Sequence, residues 1–451
     1  MARLDQWYRK RRAVPLRSET SAKLVRTLMD GADESVVDVQ LYSRLFYEKN
    51  GLTHREDRIE RERLTFLRQG GVWTIARVEH NRRLHMSMDK LTVGVVYGGK
   101  SGEHEVSLQT AFAVTNAFDY EKYELVPFYI SKQGTWKKGS VMHAPFAQIE
   151  DLKLEQAAGG TQEALNALFG RLYGGEEAMD VMFPLLHGTF GEDGTIQGMF
   201  EMADMPYVGA GVLASAGGMD KVVMKKLFAQ AGIDQCAFTY FNATQWKQTE
   251  HEMILQVEDQ LGYPCFIKPA NLGSSVGISK ARNRDELKTA VEFALRYDTK
   301  VVIEEFVEAR EVEVSVLGND EPMASVPGEI VSSGEYYDYA AKYIDGQSQM
   351  LIPAPLDPEA ADRIREAALQ AFRAIEGNGI SRADFFIRKS DGALLINEVN
   401  TMPGFTPYSM YPLLWRETGV SYAELLDRMI ELALERYNRK QALNYENGVQ
   451  V

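Results

Sequence analysis

The sequence predicts α/β and α+β units in one chain, preceded by a small α+β extension, and three observations lead there. From Leu91 apolar strand runs alternate with helical patterns to about residue 215, the signature of an α/β layer on a mostly parallel sheet. Farther on, strands become neighbours, as in RADFFIR and ALLINEVN, with helices set beside them. Charge also changes sign along the chain: residues 1–90 hold 19 Lys/Arg against 13 Asp/Glu, the remainder 31 against 51. An asymmetry of that size suggests two units of different task.

The elements follow in order. Residues 16–30 (LRSETSAKLVRTLMD) carry apolar positions at helical spacing and predict a helix. The stretch from residue 56 reads as two strands joined at Gly70–Gly71. NRRLHMSMDK is polar and breaks the pattern, so a boundary is expected near residue 89, with Met86 or Met88 a natural start for a self-sufficient enzyme. The expected organisation is an extension at 1–89, an α/β domain at 90–216, a central domain at 217–310, a C-terminal domain at 311–440 and a tail at 441–451. LTVGVVYGG is a buried strand ending in glycines. Met219 to about Ala309 gives a helix, the strand CFIKPA, a Gly/Ser loop, a helix and the strand VVIEEF. Then come a Gly/Tyr-rich loop (SSGEYYDYAAKYIDG), a helix after Pro358, the two neighbouring strands and a final helix.

Composition excludes several classes. At 451 residues the chain is too long for one core, and roughly three domains are expected. Hydrophobic residues at 45% and charged residues at 25% are ordinary for a globular protein. No run of 18 or more apolar residues occurs, so no membrane-spanning helix and no membrane partner is expected. The basic N-terminus lacks the apolar stretch of a secretory signal, and two cysteines, Cys236 and Cys265, are too few for a disulfide framework or a zinc site. These features predict a reduced, cytoplasmic protein. The acidic bulk argues against nucleic acid as partner.

Four places carry chemistry. Side chains alternate along a strand, so Arg382 and Asp384 share a face, as do Glu398 and Asn400. With the Asp391–Gly392 turn between their strands they form a hairpin that gathers two carboxylates and an amide oxygen. Burying such charges is costly unless something neutralises them, and magnesium, which takes hard oxygen ligands and keeps places for phosphate and water, answers that need. Lys268 ends an apolar strand before the loop NLGSSVG, where backbone N–H groups, hydroxyls and a point charge can converge on phosphate; it is not a Walker A loop. VYGGKSGEHEVS is a strand, a tight Gly98–Gly99 turn and a helix start, which sets Glu105 and Ser107 at the top of the sheet. It lacks the dinucleotide fingerprint, which argues against a nicotinamide-dependent oxidoreductase. FPLLHGTFGEDGTIQG sets His187, Glu192 and Asp193 after an apolar strand, where a substrate contact belongs.

Taken in order, GGKSGEHEVS, LLHGTFGEDGT, GMDKVVMKK, IKPANLGSSVG, YYDYAAKY, SRADFF and NEVNTMPGFTPYSM resemble the D-alanine–D-alanine ligase family of ATP-grasp enzymes over about residues 90–440. The resemblance implies an N-terminal α/β substrate domain, with central and C-terminal α+β domains sandwiching ATP. It implies that Lys221 and Lys268 hold the nucleotide's phosphates, that Ser275 also binds ATP, that Glu304 meets the adenine amino group, that Val307 supplies hinge backbone contacts and that Glu311 binds the ribose. Asp384, Glu398 and Asn400 would hold two magnesium (or manganese) ions. Glu105 would grip the ammonium group of the first D-alanine with His187 near its carboxylate, and Ser274 and Tyr343 would bond with Glu105. Lys342 would reach the γ-phosphate as the Tyr-rich lid closes, Arg382 and the backbone near Gly404 would stabilise the oxyanion, and Ser409 and Met410 would line the second D-alanine's site. The implied reaction joins two D-alanines through an acyl phosphate, releasing ADP and phosphate, for peptidoglycan precursor synthesis; the implied assembly is a homodimer. Ala340, Glu305, Phe306 and Thr189–Phe190 depart from many relatives without touching the chemistry. The alternatives are D-lactate or D-serine as acceptor, against which the presence of Tyr343 speaks, or a nucleotide-binding regulator without turnover. Nothing in the first 88 residues carries nameable chemistry; a docking module, a fusion or a displaced translation start are the readings.

Overall fold

The computed structural model describes residues 90–443 except 156–159, 174–178, 274 and 332–348; ahead of them it describes the backbone of four strands between residues 14 and 80. The chain divides into two units, Met1–Lys90 and Leu91–Val451. The first contains β1 (Val14–Asp30), β2 (Glu34–Lys49), β3 (Leu52–Gln69) and β4 (Val72–His80), an antiparallel meander in that order. The expected pair of strands around Gly70–Gly71 is present as β3 and β4. The expected helix at 16–30 is instead β1. Register shifts between Pro15/Arg17, Leu24/Arg26 and Thr27/Met29 interrupt its two-residue alternation, and an interrupted alternation spaces apolar residues much as a helix does.

The second unit is built on three sheets. The first has the order β7-β6-β5-β8, where β5 is Leu91–Gly98, β6 Tyr123–Ile130, β7 Trp136–Lys138 and β8 Val181–Pro184. β5 is parallel to both β6 and β8 and buried along most of its length, which is why it reads as an unbroken apolar run. Helices α1 (His104–Ala117), α2 (Thr161–Phe169) and α3 (Thr195–Met202) belong to this layer, and α4 (Val212–Met219) leads out of it.

Next come α5 (Lys221–Gln230), β9 (Phe238–Asn242), α6 (Ala243–Gln260), β10 (Cys265–Pro269), β11 (Ser279–Ala281), α7 (Arg284–Ala294) and β12 (Lys300–Glu305). The strands make an antiparallel sheet, β11-β10-β12-β9, with α6 and α7 over a core of Phe241, Ile254, Ile267, Leu287 and Ile303.

The third sheet has the order β16-β15-β13-β17-β18, with β14 on β13. Its strands are β13 (Ala309–Gly318), β14 (Met323–Ala324), β15 (Gly328–Val331), β16 (Gln349–Leu351), β17 (Gly379–Arg388) and β18 (Leu394–Asn400). Helix α8 (Pro358–Ala374), started by Pro358 and capped by the Asp357 carboxylate on Ala360 N, buries its apolar side on this sheet. Helices α9 (Met410–Glu417) and α10 (Tyr422–Gln441) close the chain. No helix of the described residues is long and apolar enough to cross a membrane.

Candidate active site

The glycine turn after β5 is enforced by its neighbours. Gly98 has φ +91, and a Cβ there would lie 2.2 Å from the Ile130 carbonyl oxygen, so only glycine fits. The buried Ser107 hydroxyl accepts from Gly98 N at 2.8 Å and donates to Leu185 O at 2.5 Å, tying the end of β5 to the segment after β8. Ser107 therefore holds the sheet's top together and does not face ligand space. Because α1 begins at His104, Glu103 is its N-cap and Glu105 lies in its first turn. Residues two apart on a helix point in different directions. Glu105 points outward: its side chain is 63% exposed and pairs with Lys132 at 2.7 Å. Glu103 lines a cavity of about 250 Å³ instead.

That cavity brings together most of the expected substrate residues. Its walls include Glu103, Thr110, His187, Arg382, Gly404 and Ser409, with Met410 beside them. Ser101 binds the two motifs to each other, since its hydroxyl accepts from Glu103 N at 3.0 Å and donates to His187 O at 2.8 Å. Gly188, at φ +72, makes room: a Cβ there would stand 2.4 Å from Glu103 Oε2. The buried His187 ring lies 3.0 Å from Thr110 Oγ1 through Nε2 and 3.4 Å from Glu192 Oε1 through Nδ1. Burial works against a charged imidazole here, but the Glu192 carboxylate outweighs it and moves the His187 pKa up. Asp193 accepts from Phe190 N and Thr195 N, so it shapes the turn. Ser409 Oγ bonds with Thr406 N at 3.0 Å and Thr406 Oγ1 at 2.8 Å, fixing the loop that follows Gly404.

A second, larger cavity of about 520 Å³ holds the expected nucleotide residues Lys221, Lys268, Ser275, Glu304, Val307 and Glu311, together with Asp384 and Glu398. Lys268 Nζ donates to Glu304 Oε2 at 2.8 Å, and Lys225 Nζ, from α5, lies 3.2 Å from Glu304 Oε1. Burial pushes the Glu304 carboxyl up, and the two lysines more than reverse it, holding its pKa at about 2. Lys221 donates to Leu272 O at 2.8 Å and lies 3.4 Å from Glu398 Oε2. The two cavities share the lining residues Lys221, Gly273, Glu313, Ile330 and Glu398.

The floor between them is the β17–β18 hairpin. Arg382 pairs across the ladder with Asn400, and Asp384 with Glu398. A bulge at Asp384/Phe385 absorbs Asn397 and keeps Asp384 and Glu398 on one face. On β13, Glu313 is the cross-strand neighbour of Asp384. Arg382 lies among them: Nε is 2.7 Å from Asp384 Oδ1 and 2.9 Å from Glu313 Oε2, and Nη2 is 2.7 Å from Asp384 Oδ2. Burial opposes the guanidinium's charge, but Asp384 and Glu313 more than compensate and raise its pKa well above the ordinary value. Among the described residues no three His, Cys, Asp or Glu side chains converge as a metal cluster. Asp384, Glu398 and Asn400 supply two carboxylates and an amide, all hard oxygen donors, a set that suits magnesium sharing its shell with phosphate and water.

Three expected site residues, Ser274, Lys342 and Tyr343, and the Tyr-rich stretch with Ala340, lie outside the described residues. Sequence reasoning missed Glu103, Glu313 and Lys225. Glu103 stands in the same motif as Glu105, and the helix start was the signal needed to choose between them. Glu313 shares its strand face with Glu311, a signal that alternation carried. Lys225 follows Lys221 by four residues on α5, one helical turn, and offered that spacing alone.

The comparisons agree with this geometry. Residues 92–210 match the family model described as D-ala D-ala ligase N-terminus, and residues 227–431 the one described as D-ala D-ala ligase C-terminus. A D-alanine–D-alanine ligase of Bacillus licheniformis is 53% identical over 359 residues, covering 79% of this chain and 99% of the relative. That of Bacillus velezensis is 54% identical over 355 residues, covering 78% and 99%. Among solved structures, the D-alanine–D-alanine ligase from Coxiella burnetii is similar with a TM-score of 0.63 and 30% identity, covering 78% of this chain and 96% of that one. The VanG D-Ala:D-Ser ligase from Enterococcus faecalis gives 0.66 and 36%, covering 76% and 100%. With both family models matched in order and relatives above half identity across the second unit, the chain belongs to the D-alanine–D-alanine ligase family and carries its ATP-grasp fold.

Proposed function

We propose that this protein joins two D-alanines to D-alanyl-D-alanine at the expense of ATP. The observation that carries the reading is the common wall of the two cavities: Lys221, Glu313 and Glu398 line both, with Arg382 on the substrate side and Asp384 on the nucleotide side. A carboxylate held in the smaller cavity thus meets the phosphates of a nucleotide held in the larger. Of the pair Glu103 and Glu105, Glu103 takes the ammonium of the first D-alanine, since it faces the cavity, and His187, oriented by Glu192, stands by its carboxylate. That carboxylate oxygen attacks the γ-phosphorus, and the bond to the bridging oxygen breaks, releasing ADP. Lys221 and Lys268 neutralise the charge that develops. Magnesium or manganese held by Asp384, Glu398 and Asn400 would supply further charge neutralisation at the phosphates. The amine of the second D-alanine, placed by Ser409 and Met410, attacks the acyl-phosphate carbonyl. Arg382 and the backbone near Gly404 stabilise the tetrahedral oxyanion, phosphate leaves with the C–O bonding pair, and the amine sheds its proton to solvent. Water competes for that intermediate, and the family resemblance gives the stretch carrying Lys342 and Tyr343 the part of a lid. A homodimer working in the cytoplasm for peptidoglycan synthesis completes the proposal, supported by the family resemblance.

Phosphate release from ATP and magnesium is the test, with D-alanine, L-alanine, or D-alanine plus D-lactate or D-serine, and mass detection of products. Release dependent on D-alanine with D-alanyl-D-alanine as product is expected. A depsipeptide or a D-alanyl-D-serine product moves the assignment to another acceptor, and no turnover by the full chain or by a chain started at Met88 overturns it.

A further inference from the structure

Lys225 is almost fully buried, at 1% exposure, and plays no part in the reaction derived above. It projects from α5 one turn after Lys221. Its Nζ lies 3.2 Å from Glu304 Oε1, while Lys268 holds the other oxygen, Oε2, at 2.8 Å. Lys268 and Glu304 line the nucleotide cavity; Lys225 is not among its lining residues. Its ammonium lies 5.4 Å from the centroid of the Phe238 ring. Each lysine therefore takes one carboxylate oxygen, one from inside the cavity and one from behind.

The difference matters when nucleotide enters. Lys268 belongs to the phosphates in the reading above, on which this inference rests. Once it turns to them, Glu304 would, but for Lys225, be a buried carboxylate without a partner, which takes up a proton instead of bearing the desolvation. A protonated Glu304 has one oxygen turned into a donor and only a neutral carbonyl left to accept, so its bond to an adenine amino group is weakened. We propose that Lys225 is a positioning residue for nucleobase recognition, the counter-ion that stays on Glu304 when Lys268 leaves and so keeps a free carboxylate lone pair aimed at an exocyclic amino group. A carboxylate so held accepts from adenine and repels the oxo group that hypoxanthine carries at the same position, so Lys225 sets the preference for ATP over inosine triphosphate.

The experiment uses the full chain and four proteins: wild type, Lys225→Met, Glu304→Gln and the double variant. Steady-state rates with ATP and with inosine triphosphate are compared, and ADP binding is measured by calorimetry. Lys225→Met is expected to raise the KM for ATP about tenfold or more, the loss typical of a charged hydrogen bond. It should reduce the ATP-over-inosine preference by a similar factor while leaving the KM for D-alanine within about twofold. In the Glu304→Gln background no charge needs holding, so the same substitution should change ADP affinity by less than about twofold. That comparison also serves if Lys225→Met alone fails to fold. An equal loss in both backgrounds, or an unchanged nucleotide preference in an active Lys225→Met protein, overturns the role of Lys225 and leaves the ligase reading intact. A wild-type chain that binds neither ATP nor ADP overturns both.

Discussion

Replacing Arg382 by alanine separates the two roles that the hairpin floor gives this side chain. In the folded protein its guanidinium makes three short contacts, two at 2.7 Å with Asp384 and one at 2.9 Å with Glu313. Its side chain is 14% exposed, and those partners 13% and 8%. Removing it leaves two carboxylates as cross-strand neighbours on β13 and β17 with their counter-ion gone. Breaking a buried pair in this way costs about 3–5 kcal/mol, or roughly 5–15 °C in melting temperature. Magnesium with ADP brings positive charge back to Asp384, so the ligand-induced thermal shift should be larger in the variant than in the wild type. Chemistry does not recover in the same way, because the oxyanion loses its guanidinium donor; loss of one such donor lowers kcat about 100–1000-fold. Thermal melts with and without magnesium and ADP, with mass detection of the dipeptide, measure both. Dipeptide formation within a few-fold of wild type by a folded Arg382→Ala protein would refute the oxyanion role, and a ligand shift no larger than that of the wild type would refute the shared use of Asp384.

Other predictions follow from the same geometry. Glu103→Gln should raise the KM for the first D-alanine roughly 10–100-fold, the loss of a charge-assisted hydrogen bond, while Glu105→Gln, exposed on α1 and paired with Lys132, should stay within about twofold; kinetics of the two side by side decide which glutamate is used. Gly188→Ala puts a methyl 2.4 Å from Glu103 Oε2 at φ +72. It should lower stability by about 1–2 kcal/mol and raise the KM for D-alanine without changing that for ATP. For the His187–Glu192 pair the sign is set by the raised pKa of His187, held up against burial by the Glu192 carboxylate. The His187 contribution is full below the unfolded histidine value, about 6.5, and is lost as pH rises through the higher folded value. The stability advantage of wild type over His187→Gln should therefore shrink as pH rises above about 6.5, and an advantage that grows over that range in denaturant titrations would reject the pairing.

Much of the site was legible in the sequence where the information is local. Side-chain alternation alone put Arg382 with Asp384 and Glu398 with Asn400, and β17 and β18 pair them as neighbours. The run LTVGVVYGG reads as a buried strand because both faces of β5 are covered, and Gly98 reads as a turn because no side chain fits against Ile130 O. Tertiary structure decided the rest. Glu103 and Glu105 are chemically identical, and only the start of α1 and the packing around Gly188 turn one into the cavity and the other to Lys132. Residues 16–30 suit a helix by spacing, but the backbone bonds of β1 are made to β2, at register shifts the segment itself does not announce. Lys225 looks like any helical lysine until β12 brings Glu304 to within 3.2 Å. Residue type and alternation follow from neighbours along the chain; which carboxylate is buried, and beside which charge, follows from groups far apart in sequence that desolvate one another only when the sheets close.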